Sequence, residues 1–187
     1  AAKAKLLAII LEKAVLSDEE SNENTELHDL MNALKSLLIN DLNPQSFADL
    51  YAQTLAYGMF AARLHDTTPD TFTRQEAASL IPKTNPFLRK LFGLIAGIDI
   101  DARLKTTVDN LAEVFRAADV KHILTSIGKN SAQHDPIIHF YETFLTEYNP
   151  ALRKSRGVWY TPKPVVSFMV RAVDVILKTH FGLCEGL

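Results

Sequence analysis

Apolar residues recur at intervals of three and four along nearly all of this 187-residue chain, and no convincing run of strict alternation interrupts them. That periodicity puts one face of a helix after another into a core and gives a sheet no strand to start from. The expected class is therefore all-α. Helix starts are marked by a capping side chain followed by proline, at Asn43-Pro44, Asn85-Pro86, Asp135-Pro136, Asn149-Pro150 and Thr161-Pro162. Proline suits the first helical position because its missing N–H is not needed there and its φ is already helical. Thr73 with Glu76 three residues on reads as a capping box, a sixth start.

From these signals, helices are expected at residues 3–16, 25–41, 43–63, 74–81, 86–96, 104–118 and 120–127, then from Asp135 to about Tyr148 and from Thr161 to about His180. The acidic, polar stretch Ser17 to Asn24 reads as a loop between the first two. Lys129 to His134 reads as a polar turn, and Gly97, Gly128 and Gly182 as helix stops. The 43–63 helix is apolar or small on most sides, so it is expected at the centre of the fold. In the last helix Val165, Val166, Met169, Val170, Val173, Ile176 and Leu177 make the side to be buried. The basic stretch Asn149 to Gly157, poor in large apolar residues, reads as the boundary between two structural units, 1–147 and 148–187.

Length and composition fit one globular domain, or one domain and a piece of another. The longest strictly apolar run, Leu6 to Leu11, is six residues, far short of the ~18 that cross a bilayer. No membrane span or secretion signal is expected. A single cysteine, Cys184, makes neither an internal disulfide nor a thiolate metal site, which points to a reducing, cytoplasmic setting. The chain opens at Ala1 rather than methionine, which reads as the mark of an excised piece.

The net charge of −2 conceals a gradient. Residues 1–66 carry five Lys+Arg and ten Asp+Glu, residues 67–147 nine and ten, and residues 148–187 six and two. Contact with a polyanion is thus expected from the C-terminal part, through Arg153, Lys154, Arg156, Lys163 and Arg171. The competing reading is a basic rim that only keeps the surface wet.

Few residues carry chemistry of their own. His134 and His139 are five apart, not the i, i+4 pair that sets two imidazoles side by side, so no metal site is expected. Glu142 and Glu147 stand about 140° apart round a helix and form no acid/base pair. No Gly-rich phosphate loop, Gly-x-Ser-x-Gly elbow or Cys/His nucleophile pair occurs. No catalytic residue is expected within the chain. What stands apart is Arg153-Lys154-Ser155-Arg156-Gly157-Val158-Trp159-Tyr160-Thr161-Pro162-Lys163-Pro164-Val165-Val166, with the only Trp and two prolines flanking a helix start. A helix N-terminus favours a negative group. Because Pro162 and Pro164 lack an N–H, the donors there are mainly those of Lys163 and Val165 and the Thr161 hydroxyl. That set suits a small anion such as an amino-acid carboxylate. The plainer alternative is that Thr161 caps its own helix.

This segment, with Asp135 to Leu145 before it, resembles the start of the methyltransferase domain in adenine-specific DNA methyltransferases of restriction-modification enzymes, most closely the single-chain enzymes that fuse nuclease and methylase. Gly157-x-x-Tyr160-Thr161-Pro162 followed by Val165-Val166 resembles the family's motif X, with Trp159 where Tyr or Phe is more familiar. Phe47 to Gly58 and Lys83 to Leu88 resemble the helical connector that precedes the methylase. The resemblance implies a multi-helix connector over 1–147 followed by the first, motif X helix of a truncated α/β methyltransferase domain. It implies that Tyr160, Thr161 and Pro162 line the methionine end of an S-adenosylmethionine pocket, and that Arg153, Lys154 and Arg156 meet DNA phosphates or acids of the adjoining domain. The family's Asp-Pro-x-x-Gly-x-Gly loop and Asn-Pro-Pro-Tyr/Phe motif do not occur between Ala1 and Leu187; Asn85-Pro86-Phe87 and Asn149-Pro150-Ala151 lack the second proline. The implied partners are DNA, a nuclease or helicase and the rest of the methylase, with self-association through Val165, Met169 and Val173 if their partner sheet is missing. The chain alone is expected to bind no cofactor and to be inactive. The alternative is a self-contained helical module for protein–protein interaction.

Overall fold

The computed structural model describes residues 1–37, 39–81, 86–120, 122–123, 136–151, 161 and 163–186, and every regular element among them is helical. These are α1 (Ala2–Ser21), α2 (Glu26–Leu37), α3 (Pro44–His65), a 3₁₀ turn (Pro69–Thr71), α4 (Arg74–Leu80), α5 (Pro86–Ala96), α6 (Ala102–Ala117), α7 (Pro136–Tyr148) and α8 (Lys163–His180). They fall into two compact units, Ala1–Asn149 and Pro150–Leu187.

In the first unit α3 is the central helix, packed by α1, α4, α5, α6 and α7. Its composition explains the position: Phe47, Ala48, Tyr51, Ala52, Leu55, Ala56, Met59, Phe60 and Ala62 are all buried, so the apolar surface runs almost round the axis. Asn43 starts it, the side chain accepting the Ser46 N–H at 2.8 Å. Small residues let neighbours come close, and at Gly58 a Cβ would run into the ring of Phe92 on α5.

Three expectations are corrected here. Ser17 to Asn24 is not a loop throughout: α1 continues to Ser21 and stops at Asn22, which takes the left-handed conformation with φ 54°. The buried stripe of α1 continues through Leu11, Ala14 and Val15 to Asp18. Asp18 remains helical and buried because Arg103 and the Thr25 hydroxyl satisfy its carboxylate. The capping box at Thr73 is half present. Thr73 accepts the Glu76 N–H at 3.1 Å, while the Glu76 carboxylate accepts from the Thr68 hydroxyl at 2.9 Å instead of reaching back. The expected helix 25–41 is also shorter, because a turn at residues 40–41 precedes the cap of α3.

Buried cations tie the helices together. Arg63 donates from Nε to the Phe115 carbonyl at 3.1 Å and lies over the Phe72 ring. Arg74, in α4, reaches the carbonyls of Ala96 and Gly97 at the end of α5 and the Asp109 carboxylate on α6. Those carbonyls are acceptors that no helical N–H can reach.

The second unit holds one described helix, α8, which ends before Gly182 at φ 68°. The side read from the sequence as buried is mostly exposed: Val165, Val166, Met169, Val170, Val173 and Ile176 all remain accessible to solvent, and Leu177 is half-buried. The expected helix at 120–127 and turn at 129–134 lie mostly or wholly outside the described residues.

Candidate functional site

Of the cofactor-pocket candidates Tyr160, Thr161 and Pro162, Thr161 is the one the structure describes, and it is exposed just ahead of α8. Tyr160, Pro162, Arg153, Lys154 and Arg156 lie outside the described residues. The first described residue of the helix is Lys163, and Pro162, between it and Thr161, lies outside the described residues. The chemistry of the first turn is that of its sequence: Pro164 offers no N–H, leaving Lys163 and Val165 to present donors toward the N-terminal end.

Ahead of this lies α7, a helix of aromatic residues. Phe140 stacks on Phe60 with centroids 4.0 Å apart and planes within 8°. Tyr57 meets Tyr141 at 4.8 Å and Phe144 at 5.2 Å, the second edge-on. Phe144 stacks on Tyr148 at 5.1 Å. At the end of the helix the Tyr148 hydroxyl donates to Asp49 Oδ1 on α3 at 2.7 Å. Burial, with the Asp49 hydrogen bond, pushes the Tyr148 phenol above its ordinary range.

No group of three or more His, Cys, Asp or Glu side chains able to hold a metal ion occurs among the described residues. His139 is half-buried on α7, and His134 lies outside the described residues. Glu147 is exposed, whereas Glu142 is half-buried and its main-chain carbonyl accepts the Thr146 hydroxyl at 2.7 Å.

Sequence reasoning missed the main polar cluster of the first unit. Asp18, Asp101 and Arg103 meet beside an open cavity of about 460 Å³ that Glu23, Thr25 and Glu26 also line. Hydrogen bonds from Arg103 hold both carboxyls below the usual carboxylate range, against the upward pull of burial. The local signal was available in part, since Asp101 caps α6 by accepting the Arg103 N–H at 2.8 Å. An apolar cleft of about 180 Å³ between α2, α3 and α5 is lined by Leu30, Leu34, Phe47, Leu50, Leu91 and Ile95, among others.

Residues 132–181 match the model of the family described as N-6 DNA Methylase. The matched stretch takes in both α7 and α8, so it begins inside the first unit and ends in the second. That stretch is similar to N6 DNA methyltransferases, a family that generally uses S-adenosylmethionine. No curated protein and no solved structure matches the chain. Among the described residues no helix is long and apolar enough to cross a membrane.

Proposed function

We propose that the chain is the front section of an adenine-specific DNA N6-methyltransferase in a restriction-modification enzyme. Residues 1–147 are the helical connector that follows a nuclease or helicase, and residues 148–187 open the methyltransferase domain. The observation that carries this reading is the family match over 132–181, which contains the motif X likeness from Gly157 to Val166.

In that setting Tyr160, Thr161 and Pro162 wall the methionine end of the cofactor pocket. The Thr161 hydroxyl and the first-turn N–H groups of α8 hold a carboxylate there. Bound S-adenosylmethionine supplies the methyl group. Arg153, Lys154 and Arg156 place positive charge at the domain junction, available to DNA phosphates or to acids of the adjoining domain. The connector contributes rigid packing rather than reactive groups, and the 187 residues by themselves are inactive. The setting is cytoplasmic, where the DNA is.

The test uses the intact enzyme with labelled S-adenosylmethionine and duplex DNA. Label is expected in N6-methyladenine, and its absence there overturns the reading. Thr161→Val should weaken cofactor affinity by about 1 to 2 kcal/mol, the scale of one hydrogen bond to a charged group; unchanged affinity removes Thr161 from the pocket wall. Calorimetry on the 187-residue chain should show no tight binding of S-adenosylmethionine, and saturable tight binding would contradict a pocket that needs more walls than these.

A further inference from the structure

The helix α7 belongs to two descriptions at once. The family match covers it, yet its side chains are built into the first unit. Phe140 is stacked on Phe60 of α3, while Phe144 and Tyr148 close a small buried cluster of their own with Ala4 of α1 and Ala56 of α3. Every other buried member of that cluster is apolar, so for filling space a phenylalanine would serve as well as Tyr148. What the hydroxyl adds is direction. It bonds to one carboxylate oxygen, Asp49 Oδ1, at 2.7 Å, across 99 residues of sequence. A directional polar contact inside apolar packing selects one register of a helix over its neighbours, which packing alone leaves nearly equal.

The place of this bond is as informative as its chemistry. Tyr148 is the last residue of α7, and Asn149, whose N–H closes the final turn on the Leu145 carbonyl at 3.0 Å, is the last residue of the first unit. The tie therefore sits at the C-terminal end of the first unit. We propose that Tyr148 is a positioning residue: its hydrogen bond to Asp49 fixes the last turn of α7, and with it the point at which the chain leaves the helical unit for the methylase section. The inference rests on the proposed function for its second half and on the geometry of α7 for its first. Methyl transfer needs the donor and the target aligned closely, and a misplacement of about 1 Å can cost ~100-fold in rate.

Two measurements separate the halves. In the 187-residue chain, amide hydrogen exchange across residues 145–149 should quicken about tenfold in Tyr148→Phe, the population change that one lost hydrogen bond permits. It should stay at the wild-type rate in Asp49→Asn, which keeps an acceptor oxygen. Unchanged exchange in Tyr148→Phe overturns the tie itself. In the intact enzyme Tyr148→Phe and Asp49→Ala should lower kcat for methyl transfer by roughly ten- to a hundredfold, with the Kd for S-adenosylmethionine unmoved and Asp49→Asn close to wild type. A wild-type enzyme that methylates adenine with variants equal to it overturns the positioning role alone. A wild-type enzyme that transfers no methyl group overturns the proposed function, and the coupling with it.

Discussion

Arg103 donates from Nη1 and Nη2 to the two carboxylate oxygens of Asp18 at 2.7 and 2.9 Å, across 85 residues of sequence. The pair is asymmetric, for the Asp18 side chain is 2% exposed and that of Arg103 is 39% exposed. Removing the arginine strands a buried carboxylate with one remaining partner, the Thr25 hydroxyl. A fully buried pair broken in this way costs ~3 to 5 kcal/mol, but water reaches the exposed arginine side. Arg103→Leu is accordingly expected to cost about 2 to 3 kcal/mol, read from the urea midpoint. A loss below about 0.5 kcal/mol would show that the pair is a surface contact of no weight.

The same cluster sets an acid limit. Arg103 holds the Asp18 and Asp101 carboxyls below the usual range, so the folded chain binds fewer protons than the unfolded chain in that region. Their stabilisation is complete above the unfolded carboxylate value of about 3.9 and is lost as pH falls through the lower, folded values. The stability gap between wild type and Arg103→Leu should therefore narrow as pH drops from neutral toward 3. Urea midpoints across that range check it, and a gap constant with pH would assign the effect to packing.

Arg74 offers a contrast of magnitudes. Its side chain is 2% exposed, whereas that of its ionic partner Asp109 is 47% exposed. Most of its worth is thus expected from the Ala96 and Gly97 carbonyls, which lose their donor in Arg74→Leu at a cost of about 2 to 3 kcal/mol. Asp109→Asn should cost less than about 1 kcal/mol. Equal losses in the two variants would mean that the ion pair, and not the carbonyl cap, fastens α4 to α5.

Starts of helices were legible where the signal is local. Asn43 and Thr73 cap as their neighbours dictate, and the span of α5 follows from Pro86 at its first position and Gly97 just past its end. The end of α1 was not legible, because Asp18 among Glu19, Glu20 and Glu23 has the composition of a loop. Only a partner 85 residues away makes that position helical and buried. Arg74 likewise has nothing in its neighbourhood to mark it as the anchor of α5. At the candidate site the residue types and their spacing were readable, while Tyr160 and Pro162 on either side of Thr161 lie outside the described residues. Periodicity identified the apolar side of α8 and not what covers it, since a pattern records which residues seek burial and is silent about the partner.

Gly58 tests how tightly α3 and α5 are packed. A Cβ there would collide with the Phe92 ring, which is fully buried. Alanine is the better helix former by up to ~1 kcal/mol, yet Gly58→Ala is expected to lose about 1 to 3 kcal/mol net through overpacking. Combining it with Phe92→Leu should cost less than the two changes summed, because they share one space. Thermal unfolding of the four proteins measures the coupling; strict additivity would mean that the helices separate freely at that point.

The buried phenols make an alkaline counterpart to the acid limit. Burial pushes Tyr51 above its ordinary range, where its hydroxyl donates to the Ile95 carbonyl at 3.0 Å, and burial with the Asp49 contact does the same to Tyr148. A raised value means that the folded state holds these protons more tightly than the unfolded state. The stability they contribute is full below about pH 10, the unfolded value, and is lost as pH climbs through the folded ones. In a near-ultraviolet titration of the five tyrosines, Tyr51 and Tyr148 should ionise only with alkaline unfolding. Tyr148→Phe should remove one phenol from that late class. Ionisation of all five near pH 10 in the still-folded chain would show that neither hydroxyl is held as the geometry requires.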